Sequence, residues 1–165
     1  KENPVNSLIA SQYGFGLDGL LHTYKNHHLS DEDMVNTFIN QCQWDEKLPY
    51  PYAVSCSEEL MQRIAFDIHK GITLTAQGFY APQCRVLRLP LGYEDFLVKL
   101  EGYKYKNLYF TNMEMETSAL YALSHLAGHK ALTICVVIAN RVNKTFSKDY
   151  RPAMNNLIET VLDRI

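Results

Sequence analysis

Segments with strand character alternate with segments with helix character along the chain, and this alternation constrains the fold more than any other feature. Residues 131–139 give the strongest strand signal, because they are rich in β-branched side chains and carry no charge. Both faces of this run are apolar, which is typical of a strand that lies in a parallel sheet between two layers of helices. The sequence therefore predicts a layered α/β/α fold with a mixed, largely parallel central sheet.

The individual elements are predicted from hydrophobic periodicity and from capping residues. Ser30, followed by acidic residues, marks the start of one helix, and Gly128 marks the end of another. We predict strands over residues 7–11, 52–54, 72–76, 108–115 and 131–139. We predict helices over residues 17–24, 31–41, 57–69, 93–100, 117–126 and 149–164. No repeat or linker divides the chain, so residues 1–165 are expected to form a single domain.

Composition excludes several classes of partner. The formal net charge is −2 and there is no sustained basic run, which argues against nucleic acid as the main partner. No apolar run approaches the roughly 20 residues that a membrane span requires, so we expect a soluble, cytoplasmic protein without a membrane partner. The four cysteines form no CxxC pair, and we expect them to be reduced thiols.

The segment from Gly14 to Gly19 satisfies the pattern GxGxxG, which occurs in dinucleotide-binding folds. Such folds also need an acidic residue about 20 positions further on, at the end of a second apolar strand. Residues 25–30, which precede the acidic Asp31, are polar instead. We therefore interpret the glycines as a tight turn between a strand and a helix. The six histidines show no metal-ligand spacing, and we predict no metal site.

One loop, bounded by glycine and proline, contains Phe79, Gln83 and Arg85. A glutamine amide offers a donor and an acceptor side by side, and arginine offers a planar fork of donors. These groups match the edge of a pyrimidine-dione, where two carbonyl acceptors flank one N–H donor. Arginine also stabilises the negative charge of a departing base. The alternative interpretation is that both polar side chains belong to a solvated surface loop.

Glu114 and Glu116 are two residues apart at the end of a predicted strand. Side chains at this spacing share one face of a strand, so both carboxylates can address one ligand. A carboxylate accepts two hydrogen bonds, which suits the vicinal hydroxyls of a ribose. The alternative is that Glu116 is an acidic residue at a helix N-terminus, where the helix dipole favours negative charge.

Three motifs, taken together and in this order, resemble those of the nucleoside phosphorylase family, and most closely its uridine phosphorylases. The first is Phe-Tyr-x-x-Gln-x-Arg over residues 79–85, the second is Asn-x-Glu-Met-Glu over residues 112–116, and the third is Ile-Ala-Asn-Arg over residues 138–141. The resemblance extends across essentially the whole chain. It implies a phosphorylase-like fold and the phosphorolysis of uridine to uracil and ribose 1-phosphate.

The resemblance also implies a role for each matching residue. The catalytic residues would be Arg85, Gln83 and Glu116. The base would be bound by Phe79, Gln83, Arg85, Ile138, Ala139 and Arg141, with Arg141 ordering either Arg85 or a bridging water. The ribose would be bound by Glu114, Met115 and Glu116. Purine-cleaving relatives carry an acid at the position of Ile138 and Ala139, and its absence favours a pyrimidine base.

The phosphate site of the family lies upstream of the first residue of this chain, so we expect this chain to be the C-terminal, nucleoside-binding part of a longer enzyme. Its sheet would then be incomplete on the N-terminal side, and the isolated chain would be inactive. The reaction needs no metal or organic cofactor, only phosphate as co-substrate, and the intact enzyme would be a dimer or hexamer. The alternatives are a nucleosidase that uses water, a phosphorylase of broader range, and a non-catalytic nucleoside-binding remnant.

Overall fold

The central sheet is organised around its long first strand, β1 (Leu8–Gly16). The structure is a computed structural model that describes residues 3–25, 28–93 and 95–165. One edge of β1 pairs in parallel with β3 (His69–Thr75), which pairs in parallel with β4 (Phe110–Glu114). The other edge is shared by two antiparallel strands, β2 (Tyr52–Ser55) and β5 (Ile134–Val136). The sheet is mixed, as the sequence predicts, with the order β2-β1-β3-β4.

Within the described residues, a small hairpin and five α-helices complete the fold. The hairpin consists of β6 (Ala139–Asn140) and β7 (Thr145–Phe146). The helices are α1 (Glu32–Cys42), α2 (Glu58–Ile64), α3 (Phe96–Gly102), α4 (Thr117–Leu126) and α5 (Arg151–Leu162). Asp31 caps α1 by accepting a hydrogen bond from the backbone N–H of Met34, at 2.9 Å. None of the helices in the described part of the chain combines the length and the apolar character that a membrane-spanning helix requires.

The apolar core is divided between the two faces of the sheet. Along β2, Ala53 belongs to one cluster of buried residues, whereas Tyr52 and Val54 belong to the other. Because successive side chains of a strand point to opposite faces, the two clusters lie on opposite sides of the sheet. The first is rich in aromatic contacts, with the Phe15 and Phe38 ring centroids 4.6 Å apart. Burying one such ring contributes roughly 1.5–3 kcal/mol.

The glycines of the GxGxxG pattern serve close packing. Gly14 and Gly16 lie within β1, where a Cβ on Gly14 would be 2.8 Å from the Cα of Ser118 in α4. Helix α4 therefore crosses β1 at a distance that only glycine permits. Gly19 has a positive φ of 70° and precedes a short 3-10 helix, Leu20–Thr23. The turn at Gly19 was predicted, but Gly14 and Gly16, which we assigned to the same turn, lie in β1, which extends well beyond the strand predicted over residues 7–11. The helix expected over residues 17–24 is reduced to this single 3-10 turn.

The strand predicted over residues 131–139 was too long. Only Ile134–Val136 pairs with β1 as a strand. The carbonyl of Ala131 accepts from the N–H of Ser57 at 2.9 Å, whereas the carbonyl of Thr133 still accepts from the N–H of Ser11 in β1, at 3.0 Å. The unbroken apolar run was a correct sign of extended backbone, but the partners of that backbone are set by the tertiary fold.

The bounds of two predicted helices also differ from those in the structure. The helix expected over residues 57–69 ends at Ile64, and β3 already begins at His69, since residues 69–71 pair with β1. Gly71 lies inside this strand, opposite Ser11 of β1. The helix expected over residues 93–100 begins at Phe96 and ends at Gly102, and residue 94 lies outside the described residues.

Candidate active site

Two of the three motifs follow the carboxyl ends of neighbouring parallel strands. The first motif comes after β3, and the second covers the end of β4 and the start of α4. The N–H of Ala76 donates to the carbonyl of Glu114 at 3.0 Å, so the two strands stay paired up to the point where the loops begin. Ligands of α/β proteins commonly bind beyond the carboxyl ends of strands. This edge of the sheet is therefore the candidate site.

The loop after β3 folds back in a single 3-10 turn, Ala81–Gln83. The carbonyl of Tyr80 accepts from the N–H groups of both Gln83 and Arg85, each at 3.0 Å. Cys84 has a positive φ of 58°, a left-handed conformation that reverses the chain between these two residues. As a result Gln83 is only 3% exposed, whereas Phe79 is half exposed at the rim of the loop.

Arg141 holds Gln83 through two hydrogen bonds. One guanidinium nitrogen donates to the backbone carbonyl of Gln83, and the other donates to its side-chain Oε1 at 2.5 Å. Because a guanidinium can only donate, the amide oxygen must face Arg141 and the NH₂ group must point away from it. The side chain of Gln83 is thereby fixed in one orientation with its donor group available.

Arg85 lies beside this pair and makes a different contact. Its guanidinium carbon is 3.9 Å from the centroid of the Phe79 ring, in a cation–π arrangement. Its Nε is buried and has no hydrogen-bond partner among the residues that the structure describes. A buried unpaired N–H group is costly in a folded protein, so an acceptor from a ligand would be favourable here.

The contact of Arg141 differs from what we expected, which was that it would order Arg85 or a bridging water. Its direct partner is Gln83, because two cations repel whereas Gln83 supplies two oxygen acceptors. Burial and, secondly, the charge of Arg85 lower the pKa of Arg141 below its ordinary value. The two guanidinium groups therefore concentrate positive charge in a partly desolvated place.

Both carboxylate oxygens of Glu114 accept hydrogen bonds from neighbouring residues of the protein. Its Oε2 accepts from the backbone N–H of Glu116 at 2.8 Å, and from the N–H and hydroxyl of Thr117 at 2.7 and 2.8 Å. Its Oε1 accepts from the hydroxyl of Thr75 at 2.6 Å. These are the contacts of a residue that caps helix α4, and a direct bond from Glu114 to a ribose stays a prediction.

Glu116 and Met115 lie at the surface. Glu116 occupies the N-cap position of α4, yet its side chain makes no capping bond within the helix. Among the described residues, its Oε2 accepts one bond, of 3.2 Å, from the backbone N–H of Met115. Met115 is 40% exposed. An exposed carboxylate beside an exposed thioether is an arrangement that can bind the hydroxyls and the apolar face of a sugar.

The third motif joins the site through Arg141. Ala139 is in β6, where it pairs with Phe146, and Ile138 is half exposed, with its carbonyl accepting from the N–H of Ser147 at 2.9 Å. Ile138 and Ala139 precede Arg141 by three and two residues, so the hairpin carries them toward the loop that holds Gln83. Their role as an apolar wall around a base stays a prediction.

Thr75 is a residue of this site that we did not predict. It is fully buried, and its hydroxyl both donates to Glu114 and accepts from the backbone N–H of Ser118, at 2.6 and 2.9 Å. The sequence did contain a signal, since Thr73 and Thr75 share one face of a predicted strand. Buried hydroxyl groups need partners, and two of them in a row indicate a polar network.

Side chains that could bind a metal are not grouped. Within the described ranges, no three His, Cys, Asp or Glu side chains lie close enough together to hold a metal ion. All four cysteines are free thiols, as predicted.

Comparison with known proteins identifies the family. The family model of the phosphorylase superfamily matches residues 20–163, and the chain therefore belongs to the phosphorylase superfamily. Over 90 residues the chain is 33% identical to a uridine phosphorylase of Thermococcus kodakarensis, and this match covers 54% of this chain and 32% of that protein.

Solved structures share the fold. A nucleoside phosphorylase of Trypanosoma brucei, which shows uridine phosphorylase activity, superposes with a TM-score of 0.83 at 24% identity. Isoform 2 of uridine phosphorylase from Schistosoma mansoni gives a TM-score of 0.61 at 17% identity. The matches cover 98% and 97% of this chain but only 58% and 53% of those chains, so this chain spans little more than half the length of these structures.

Proposed function

We propose that this chain supplies the base- and ribose-binding residues of a uridine phosphorylase, an enzyme that converts uridine and phosphate into uracil and ribose 1-phosphate. The observation that carries the proposal is the arrangement of Gln83, Arg85 and Arg141, in which Arg141 fixes the amide of Gln83 and Arg85 lies against the ring of Phe79. The relative from Thermococcus kodakarensis, which is a uridine phosphorylase, supports the same substrate.

The donors of the loop fit the edge of uracil. Arg141 holds the oxygen of Gln83, which directs the NH₂ group of the amide toward an acceptor such as a uracil carbonyl. Arg85 contributes a buried Nε–H that has no partner among the described residues, together with a positive charge. The Oε1 of Gln83 has a second lone pair, which is free to accept from the N3–H of the base.

Bond cleavage would follow from the placement of charge. An oxygen of phosphate attacks C1′ of the ribose while the C1′–N1 bond breaks, and the electron pair of that bond leaves on uracil. Arg85 and the polarised amide of Gln83 stabilise this uracil anion, so the base can depart without a proton donor. Phosphate is the co-substrate of this proposal, and its binding residues would come from a part of the enzyme outside this chain.

The ribose would lie against the second motif. Glu116 accepts hydrogen bonds from the hydroxyls of the sugar, and Met115 packs on its apolar face. The side chains of Ile138 and Ala139 would border the base. Neither is an acid, and a purine base needs a proton on N7 to leave readily, which favours uracil over purines. Within the same proposal, the enzyme acts in pyrimidine salvage in the cytoplasm as an oligomer.

The decisive experiment measures the release of uracil from uridine with and without phosphate. It compares this chain with the longest form of the protein that its gene encodes. We expect release by the longer form only when phosphate is present, and no release by this chain alone. Uracil binding without any turnover in either form would overturn the proposal in favour of a nucleoside-binding remnant.

A nucleosidase that uses water is the second candidate, because Arg85, Gln83 and Glu116 would assist departure of the base equally well with water as the nucleophile. The same assay separates the two reactions. Uracil release that is independent of phosphate, with free ribose as the second product, would identify the nucleosidase.

A further inference from the structure

We propose that Thr75 is a positioning residue for ribose recognition, which acts through Glu114 on the placement of Glu116. The inference rests on the proposed function, because it concerns the sugar side of the same site. It assigns a role to a buried residue of β3 that cannot itself reach a ligand.

The hydroxyl of Thr75 connects three elements of the fold. It donates to Oε1 of Glu114 at the end of β4, at 2.6 Å, and it accepts from the N–H of Ser118 in the first turn of α4, at 2.9 Å. A hydroxyl has one proton to donate, so donation to the carboxylate leaves its lone pairs for the helix N–H. Both functions of this hydroxyl are thus used, and its bond to the N–H of Ser118 is buried, whereas its bond to the half-buried Glu114 is partly buried.

Glu114 then transmits this position to the turn that carries Glu116. Its Oε2 binds the backbone N–H of Glu116 and both the N–H and the hydroxyl of Thr117, all within 2.8 Å. Bonds from N–H groups to an ionised carboxylate are roughly twice as strong as neutral ones. The carboxylate therefore fixes the backbone at Glu116, and Thr75 fixes the carboxylate.

The side chain of Glu116 is, in contrast, held weakly. It is exposed and accepts one bond of 3.2 Å from the adjacent N–H of Met115. Its position relative to a bound sugar is consequently decided by the backbone that carries it. If the Thr75–Glu114 pair is disrupted, the backbone at residue 116 loses its anchor, and the hydroxyls of the ribose lose their acceptor.

A matched control for Thr75 lies two residues before it in the chain. Thr73 lies on the same strand, is equally buried, and donates to Oδ1 of Asn112 at 2.8 Å, which leaves its oxygen to accept from the hydroxyl of Ser11 at 2.5 Å. Among the described residues, the hydroxyl of Thr73 makes no hydrogen bond to Glu114 or to α4. Thr73→Val and Thr75→Val therefore remove the same hydroxyl from the same type of environment, and only the second disturbs Glu116.

The experiment compares kcat/KM for uridine and for 2′-deoxyuridine, which lacks one of the hydroxyls that Glu116 would bind. In the full-length enzyme we expect Thr75→Val to lower kcat/KM for uridine about tenfold, since a bond to a charged group is lost, and to lower that for 2′-deoxyuridine much less. Thr75→Ser, which retains the hydroxyl, should restore the wild-type ratio of kcat/KM for uridine to kcat/KM for 2′-deoxyuridine. Thr73→Val should leave the ratio as it is in the wild-type enzyme.

The inference would be overturned if Thr75→Val lowered kcat/KM by the same factor for both substrates. It would also be overturned if Thr73→Val changed the ratio of the two kcat/KM values as much as Thr75→Val does. A second measurement needs no substrate. A crystal structure of Thr75→Val should show the Glu116 carboxylate displaced, and an unchanged Glu116 would also overturn it. Absence of uridine turnover by the wild-type enzyme would instead refute the proposed function, while the position of Glu116 still decides the role of Thr75.

Discussion

Arg141 donates hydrogen bonds to both the backbone carbonyl and the side-chain oxygen of Gln83, although 58 residues separate the two in the chain. The contact joins the hairpin β6–β7 to the loop after β3. It buries Gln83 and gives its amide a single orientation. A small polar side chain on a surface loop thereby becomes a rigid recognition element.

Replacement of Arg141 tests this relationship. In Arg141→Ala, two oxygens of a buried residue lose their donors, and bonds to a charged group are worth about 1.5–3 kcal/mol. We expect kcat/KM for uridine to fall about 10- to 100-fold in the full-length enzyme. The kcat/KM of Arg141→Lys should lie between those of the wild-type enzyme and Arg141→Ala, because an ammonium does not reproduce the fork of a guanidinium.

The control for this variant is Arg151→Ala. Arg151 is an exposed residue whose ion pair with Asp149 is at the surface, so its loss should change kcat/KM by less than twofold. Identical kinetics of Arg141→Ala and Arg151→Ala would show that the orientation of Gln83 does not depend on Arg141.

Arg85 should contribute directly to the transition state. Under the proposed function, we expect Arg85→Ala to cost about 2–4 kcal/mol of transition-state stabilisation, because it removes the positive charge that would face the departing base. The measurement is kcat/KM for uridine, with Arg88→Ala as the control, since Arg88 is an exposed arginine three residues further on. A change of less than twofold for Arg85→Ala would contradict its role.

Gly71 is predicted to be essential for the pairing of β3 with β4. A Cβ at this position would lie 2.7 Å from Oγ1 and 2.9 Å from Cβ of Thr111, closer than real contacts allow. Gly71→Ala should lower the free energy of unfolding by about 1–3 kcal/mol through overpacking. Gly102→Ala is the control, because a Cβ there meets nothing within 4 Å. Equal stability of the two variants in urea denaturation would contradict this prediction.

The free energy of unfolding should fall as the pH rises above about 9. Burial raises the pKa of Cys56 and of Cys135 from 9.0 to about 11, and burial raises the pKa of Tyr121 as well. Between pH 9 and 11 the unfolded chain releases these thiol protons while the folded chain retains them, so the folded state loses relative stability. The stability is fully present below pH 9 and is lost as the pH passes through the folded pKa values.

Urea denaturation at pH 7, 9 and 11 measures this decline. A variant with Cys56→Ala and Cys135→Ala lacks both thiols, and its free energy of unfolding should decline less between pH 9 and 11 than that of the wild-type protein. A decline of the same size in both proteins would show that the thiols do not contribute.

Elements with strong local signals were predicted well. Helix α4 occupies residues 117–126, as predicted, because its apolar periodicity and the positive φ of Gly128, 73°, are local properties. The strand over residues 131–139 was overestimated for the opposite reason. Its backbone partners, among them Ser7, Ser11 and Ser57, are far away in the sequence.

The sequence indicated candidate residues for the site but not the contacts between them. The sequence left two roles open for the acidic pair, binding a ligand or favouring a helix N-terminus. In the structure the bonds at the start of α4 are made by Glu114, while Glu116 remains exposed. Nothing in the spacing of the two residues distinguishes them, because the difference depends on Thr75 in a neighbouring strand.

The separation of Gln83 from Arg141 has a consequence for the newly made protein. Gln83 emerges from the ribosome before Arg141 has been synthesised. The loop after β3 therefore emerges before the donors that bind the oxygens of Gln83 are present. During this interval the amide of Gln83 must remain hydrated and free to turn. The amide of Gln83 therefore becomes ordered only after residue 141 has been synthesised, and a chain released before residue 141 would lack a rigid Gln83.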